Sequence, residues 1–290
     1  MNRVMVTGIG GPAGRSAVEY FKRKGEFLIG TDVRETGPAV DEFALLPLAK
    51  EPSFTAALLH LIKEKRPGLF VPTVTEELDT VSALKGEIES LGCRVFISPP
   101  ASVKIANDKL RTAVFMSINN IPVPATYSGD THRETVIREL GLPLLAKPSF
   151  GRGGRGVVVF ESAKEALGEN RKGIIFQEFI PGDEFDVNMY IDRRGIIRAA
   201  VALKKTELKE GVVGNALRVE RAVRTDAVEL CKRAARSLNL EGPLDFDVRL
   251  RADGTPALLE INARLGGNVL SAVEVLDSLD SEFKDMASKA

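Results

Sequence analysis

Near the C-terminal end of the sequence, three oxygen-bearing side chains and one arginine have types and spacing that suit metal and phosphate chemistry. Asp247 lies in one apolar-rich run and Glu260-Ile261-Asn262 in the next, followed by Arg264. Residues two apart on a strand face the same side, so Glu260, Asn262 and Arg264 converge if the backbone stays extended. The turn Ala252-Asp253-Gly254-Thr255 makes the two runs a hairpin, which carries the Asp247 carboxylate to the same place. Carboxylates with an amide oxygen are hard donors suited to Mg²⁺, an ion that keeps waters and bridges nucleotide phosphates. Arg264 would then meet a transferring phosphoryl group. A half-solvated strand shows the same alternation, so the motif draws weight from its companions.

The first companion is Ser149-Phe150-Gly151-Arg152-Gly153-Gly154-Arg155-Gly156, between a strand ending at Lys147 and a strand at 157–160. Gly151 and Gly156 have P-loop spacing, but Val157-Val158 stand where Lys and Ser/Thr are required and no helix follows. The run also fits the glycine loop of protein kinases, yet the His-Arg-Asp and Asp-Phe-Gly elements are missing and Lys147 precedes the loop. A hairpin tip remains. Its backbone N–H groups, from Ser149 through Gly151, Gly153, Gly154 and Gly156, can meet phosphate oxygens, with charge added by Arg152 and Arg155. The second companion, residues 177–184, links two strands and can offer backbone groups to an adenine edge and then a carboxylate to a ribose. By itself it also reads as an ordinary acidic loop.

A third glycine cluster, Gly8-Ile9-Gly10-Gly11-Pro12-Ala13-Gly14, follows a strand and opens a helix, with Asp32 after the next strand. That is the pattern of a dinucleotide turn, and equally of a tight β–α turn in a Rossmann-like domain without cofactor. A short-chain dehydrogenase would also need Tyr-x-x-x-Lys beside the nicotinamide. Tyr20 and Lys24 have that spacing but fall in the first helix, where they cannot serve.

The elements that must position these groups fall into two rhythms. Strands at 4–6, 28–29, 69–71 and 95–97 alternate with helices at 15–24, 54–65 and 76–92, which predicts a parallel sheet with crossovers. After Pro99-Pro100 and a helix over 104–119, the chain turns β-rich, with strands at 144–147, 157–160, 174–176, 187–191 and 196–201. A helix over 226–238, with Asp226 and Glu229 as its capping box, precedes strands at 244–250 and 257–261. The length of 290 residues exceeds the ~100–200 of one domain. Forty Lys and Arg balance forty Asp and Glu, so no global field would hold nucleic acid or an anionic membrane. No apolar run approaches a transmembrane span, and the start lacks a signal peptide, which makes the expected location cytoplasmic. Cys93, Cys231, His60 and His132 are scattered and assemble no zinc or disulfide framework.

Taken in order, Lys109, Lys147, the glycine hairpin, Gln177-Glu178 with Glu184, Asp247 and Glu260-x-Asn262-x-Arg264 resemble the ATP-grasp superfamily, and within it the branch of the carbamoyl phosphate synthase large subunit. The resemblance covers the whole chain. It implies an α/β protein: a Rossmann-like parallel sheet over 1–103, then a two-part α+β ATP-grasp fold over 104–290, with 121–176 as the smaller lid. It implies that Lys109 and Lys147 contact ATP phosphates, and that Gln177, Glu178 and the Ile180 backbone hold adenine. Glu184 would hold ribose. Asp247, Glu260 and Asn262 would bind Mg²⁺, or Mn²⁺ in its stead, and Arg264 would stabilise the γ-phosphoryl group. Ala263 stands where the family often has Pro. The sequence also ends sooner after Arg264 than the family leads one to expect.

The chemistry so implied joins a small-molecule carboxylate to an amine through an acyl phosphate. Positioning and charge neutralisation carry phosphoryl transfer, so scarce histidines are no obstacle. A glycine hairpin that closes would keep water from the acyl phosphate. Residues 8–14 and the segment Pro72-Thr73-Val74-Thr75-Glu76-Glu77 become candidates for the substrate wall. A single unit without a glutaminase argues against making carbamoyl phosphate, and a homodimer is compatible with the sequence. Two other readings stand beside the ligase: an ATP-binding sensor without catalysis, and an NAD(P)-dependent oxidoreductase resting on residues 8–14.

Overall fold

The computed structural model describes residues 2–151, 153–210 and 213–288, without the side chains of 210, 213 and 215. It opens with β1 (Arg3–Thr7), α1 (Pro12–Arg23), β2 (Phe27–Asp32), β3 (Glu42–Leu45), α2 (Phe54–Lys65), β4 (Leu69–Val71), α3 (Leu78–Ala83), α4 (Lys85–Ser90) and β5 (Arg94–Val95). The five strands form a parallel sheet in the order β3-β2-β1-β4-β5. Strands such as β1 are buried on both faces, which is why they read as unbroken apolar runs. Where one helix was expected over 76–92, there are two, with a break at Leu84.

Next come α5 (Pro100–Ala106) and α6 (Lys109–Ile118), again two helices where the sequence suggested one. Asp108 makes the break: its side chain accepts from the N–H groups of Leu110 and Arg111 and so starts α6 as an N-cap. A small antiparallel sheet follows, ordered β6-β9-β7-β8, from β6 (Thr126–Ser128), α7 (Arg133–Leu140), β7 (Leu144–Pro148), β8 (Val158–Phe160), α8 (Ala163–Leu167) and β9 (Ile174–Glu178). The glycine run is the β7–β8 hairpin connection, as its spacing suggested.

The last part holds β10 (Glu184–Ile191), β11 (Ile197–Glu210), β12 (Val213–Ala222), α9 (Thr225–Ser237), β13 (Gly242–Leu250), β14 (Pro256–Asn262) and α10 (Val273–Ala287). Its sheet is antiparallel, in the order β12-β11-β10-β13-β14. The expected capping box on α9 is absent. Asp226 pairs instead with Arg224, and Glu229 with Lys232 one turn on.

Two apolar clusters fuse the first and last sheets. One joins Met5, Ile29 and Phe70 to Val187, Phe246 and Leu258. The other joins Val4, Val6 and Leu28 to Tyr190, Leu203 and Leu276. Met5 and its neighbours fall in different clusters because alternate strand residues face opposite sides. Helix α10 ties both regions, since Tyr20 Oη donates to Asp277 at 2.6 Å and Tyr190 Oη to Glu282 at 2.8 Å. The small sheet has a core of its own: Val136, Leu144, Ala146, Phe160, Ala166, Ile174 and Phe176. Among the described residues, no helix is long and apolar enough to cross a membrane.

Candidate active site

One face of the large antiparallel sheet changes character along its strands. On β10 it reads Glu184, Asp186, Asn188 and then the buried Tyr190, while Phe185, Val187 and Met189 point into the core. The strand register sets these residues in rows. Glu184 lies opposite Arg249, Asp186 opposite Asp247, and Asn188 opposite Asp245. On the far side, Asp247 faces Glu260 and Asp245 faces Asn262. The polar face floors a cavity of about 240 Å³, roofed by the glycine hairpin and walled at one end by Gly11, Pro12, Ala13 and Gly14 at the start of α1.

The cavity gathers Lys109, Lys147, Gly151, Gly153, Gly154, Gln177, Glu178, Ile180, Glu184, Asp247, Glu260, Asn262 and Arg264 from segments far apart in sequence. Arg155 lines it too, whereas Arg152 lies outside the described residues. Ser149 and Gly156 do not line it. Ser149 Oγ donates to Asp108 Oδ1 at 2.6 Å, which tethers the end of β7 to the cap of α6. Gly156 turns outward, with its carbonyl accepting from Arg171 at 2.7 Å.

Buried charges are costly unless paired, and here nearly every one has a partner. Glu184 is held by Lys205 at 2.7 Å and by Arg249 at 2.9 Å, and Lys205 also reaches Asp247. Burial pulls the Lys205 ammonium down, but the carboxylates of Asp247, Glu184 and Asp186 outweigh it and hold the group well above the ordinary lysine range. Lys109 Nζ donates to the Gly151 carbonyl at 2.7 Å and stands 3.4 Å from Glu260. Lys147 is less well matched: burial, aided by the charge of Lys109, lowers it to about 8 despite Glu260. Arg264 spends its fork within the protein, donating to Asn262 Oδ1 at 3.0 Å, to the Leu265 carbonyl at 2.7 Å and to Thr75 at 3.2 Å.

At the other end, Gln177 Nε2 donates to Thr126, Glu178 accepts from the Ala125 N–H and pairs with Arg251, and the Ile180 carbonyl accepts from Arg249 at 3.0 Å. Asp32, the acid of the dinucleotide pattern, accepts from the N–H groups of Gly10 at 2.9 Å and Val33 at 2.7 Å. Both of its oxygens thus close the turn. Gly14 is required there, because a Cβ on it would stand 2.3 Å from the Gly8 carbonyl oxygen. Thr73, from the segment 72–77, also lines the cavity.

Asp186, Lys205, Asp245, Arg249 and Asn268 are polar lining residues that were not singled out in the sequence. A signal for three of them exists. Glu184-x-Asp186-x-Asn188 and Asp245-x-Asp247-x-Arg249 alternate as Glu260-x-Asn262-x-Arg264 does, so each strand carries its own polar stripe. Among the described residues, no three His, Cys, Asp or Glu side chains form a metal-binding group alone. A cation between Asp247 and Glu260 would therefore need the Asn262 amide oxygen and oxygens from a bound nucleotide. That donor set is all hard oxygen and fits Mg²⁺.

Residues 106–268, more than half of the chain, match the family of the ATP-grasp domain. A D-alanine–D-alanine ligase from Aromatoleum aromaticum is 26% identical over 225 residues, 72% of either chain. A phosphoribosylamine–glycine ligase from Ralstonia nicotianae is 22% identical, over 91% of this chain and 68% of the other. The fold matches that of an L-amino acid ligase from Bacillus licheniformis with a TM-score of 0.71 at 20% identity, covering 93% of this chain and 69% of that one. It also matches N5-carboxyaminoimidazole ribonucleotide synthetase from Thermotoga maritima, with a TM-score of 0.68 at 21% identity over 91% and 69% of the two chains. Beside these ligases, carbamoyl phosphate synthase is only a distant likeness. With the family match spanning more than half of the chain and most of the residues that line the cavity, the chain belongs to the ATP-grasp family.

Proposed function

We propose that the protein is an ATP-dependent ligase that activates a small-molecule carboxylate as an acyl phosphate and passes the acyl group to an amine. One observation supports this above the others: Lys109, Lys147 and Arg264 line a single cavity together with Asp247, Glu260 and Asn262. In this reading ATP lies along the strands of the large sheet. Gln177, Glu178 and the Ile180 N–H meet adenine, and Glu184, shared with Lys205 and Arg249, meets the ribose. Lys109 and Lys147 take the phosphates under the backbone N–H groups of Gly151, Gly153 and Gly154. Asp247, Glu260 and Asn262 would hold Mg²⁺, which would supply positive charge to offset that of the phosphates.

The residues of this chain then orient and shield. Arg264, fixed by Asn262, Leu265 and Thr75, offers a preorganised cation where charge gathers on the phosphoryl group. The hairpin lid excludes water from the acyl phosphate. The oxidoreductase reading, resting on residues 8–14 and Asp32, would leave Lys147, Glu260 and Asn262 in the cavity without a task, so that reading loses ground.

ADP release from Mg²⁺-ATP with a mixture of amino acids tests the ligase. Turnover is expected in the parent and none in Glu260→Ala. ATP with Mg²⁺ should also raise the melting temperature, by ~2.7 kcal/mol of stabilisation at a hundredfold excess over Kd, and NAD should not. Nucleotide binding without turnover on any mixture would leave a sensor.

A further inference from the structure

The cavity continues past the phosphate-binding groups, and two members of the sheet's third row, Asn188 and Asp245, have no task in the reading above. Along the strands the rows run from Glu184 with Arg249, through Asp186 with Asp247 and Glu260, to Asn188 with Asp245 and Asn262. Residues two apart on a strand are about 7 Å apart, so Asn188 and Asp245 lie one such step along the sheet from Asp186 and Asp247, beside Asn262. Asp245 lines the cavity with Gly267, Asn268 and the start of α1, and Asn188 lies buried behind it.

Their oxygens are unmet. Asp245 Oδ1 and Asn188 Oδ1 are buried and have no hydrogen-bond partner among the described residues, although Asp245, 7% exposed, lines the cavity. Buried acceptors are seldom left so. Both converge on one spot, since a Cβ on Gly266 would lie 2.7 Å from Asn188 Oδ1 and 2.9 Å from Asp245 Oδ1. Glycine there keeps a small space open above them. Three carboxylates, Asp186, Asp245 and Asp247, gather here around two cations, Lys205 and Arg264, both already engaged. Asp186 accepts from Asn188 at 2.8 Å and from Asn268 at 2.9 Å but has no cation in these bonds. The nearest cation to Asp245 is Arg264, at 3.6 Å, with its fork already engaged.

We propose that Asp245, Asp186 and Asn188 form the subsite for the acceptor, held by its primary ammonium group. This rests on the ligase reading of the same cavity and names the substrate class at its far end. An ammonium ion brings three N–H donors and one positive charge, which suits two carboxylates and an amide oxygen. A divalent ion suits the place less, because it seeks six or more oxygens and the described residues supply no acidic trio for it.

The test uses the full chain with ethylammonium chloride as probe, read by saturation-transfer NMR. Tetramethylammonium, equal in charge and without N–H donors, is the control. Ethylammonium should bind saturably and tetramethylammonium should not. Asp245→Asn should weaken ethylammonium at least tenfold, and Asp186→Asn gives the same reading if the first variant melts early. Equal binding of both ions, undiminished binding in the variants, or displacement of ethylammonium by Mg²⁺ alone would overturn the subsite. A non-hydrolysable ATP analogue is titrated into the same samples. If the analogue binds and ethylammonium does not, the subsite fails and the ligase stands. If ethylammonium binds and the analogue does not, the ligase reading fails instead.

Discussion

The small sheet and the rest of the molecule differ in how they are held. The parallel sheet and the large antiparallel sheet share two extensive clusters, whereas the four-stranded sheet rests on seven buried side chains of its own. Fully burying one such side chain stabilises by about 1.5–3 kcal/mol, so the small unit is a modest structure carried by a rigid one. The division of labour follows. Asp247, Glu260, Asn262 and Arg264 sit on the rigid part, while Lys147 and the glycine hairpin sit on the part that can give way.

The sharpest way to break this contrast is Arg264→Lys, which keeps the charge and removes the planar fork. On the rigid side the loss should fall on the chemical step. A drop of ~10²–10³ in kcat is expected, with the Michaelis constant for ATP little changed; the melting temperature falls too, since buried bonds to Asn262, Leu265 and Thr75 are lost, and the assay is run well below it. Full turnover in this variant would remove Arg264 from the chemistry.

Core truncation sharpens the comparison next. Phe176→Ala and Phe246→Ala each delete a fully buried ring, at a cost of ~3–5 kcal/mol. In the small sheet the damage should stay local: hydrogen exchange would speed up in β7 and β9 while β10 and β13 keep their protection. Phe246→Ala should lower the whole melt. Identical exchange patterns from the two variants would show one cooperative unit.

Gly154→Ala should have a smaller effect. A Cβ there would lie 2.4 Å from Gly214 Cα, at the contact between the hairpin and the β11–β12 ribbon, and Gly154 has φ of 71°. Left-handed backbone costs a side chain ~1–2 kcal/mol, so ATP should bind up to about tenfold more weakly. Exchange over the hairpin should also slow less on adding the ATP analogue. An unchanged affinity would mean that the hairpin does not close against the ribbon.

The smallest effect is on pH. Burial lowers Lys147 to about 8 from 10.5, so between those values the unfolded chain keeps a proton that the folded chain has released. Stability therefore gains with rising pH across that window, the penalty for burying the ammonium being complete below it. Phosphate binding runs the other way. ATP affinity should fall roughly threefold to fourfold from pH 7 to 8.5, with proton uptake on binding detectable by calorimetry in two buffers. A flat profile would show that Lys147 needs no charge.

Much of the fold was legible. β1, β4, β13 and β14 announce themselves because strands buried on both faces, or joined by a tight turn, leave strong local patterns. β3 is a four-residue edge strand with no alternation to find, and β11 runs on through Lys204-Lys205-Thr206-Glu207, where a polar run, the buried Lys205 within it, hides the strand. The breaks at Leu84 and Asn107 were missed because apolar spacing continues across them. At the site, the ordered motif pointed to thirteen cavity residues, yet Lys205 and Asn268 belong to no motif. They are found only when β11 is laid beside β10 and the chain after β14 is folded back.

The shared core also constrains how the chain must come off the ribosome. The cluster that holds Met5, Ile29 and Phe70 is completed by Val187, Phe246 and Leu258, which are synthesised on the order of ten to thirty seconds later at ordinary rates. Until then the parallel sheet has only its own helices against it, and the apolar surface meant for the second half stays uncovered. The interval calls for a chaperone or a slow, reversible collapse, and an early stop in translation would leave a sticky fragment in place of a smaller functional protein.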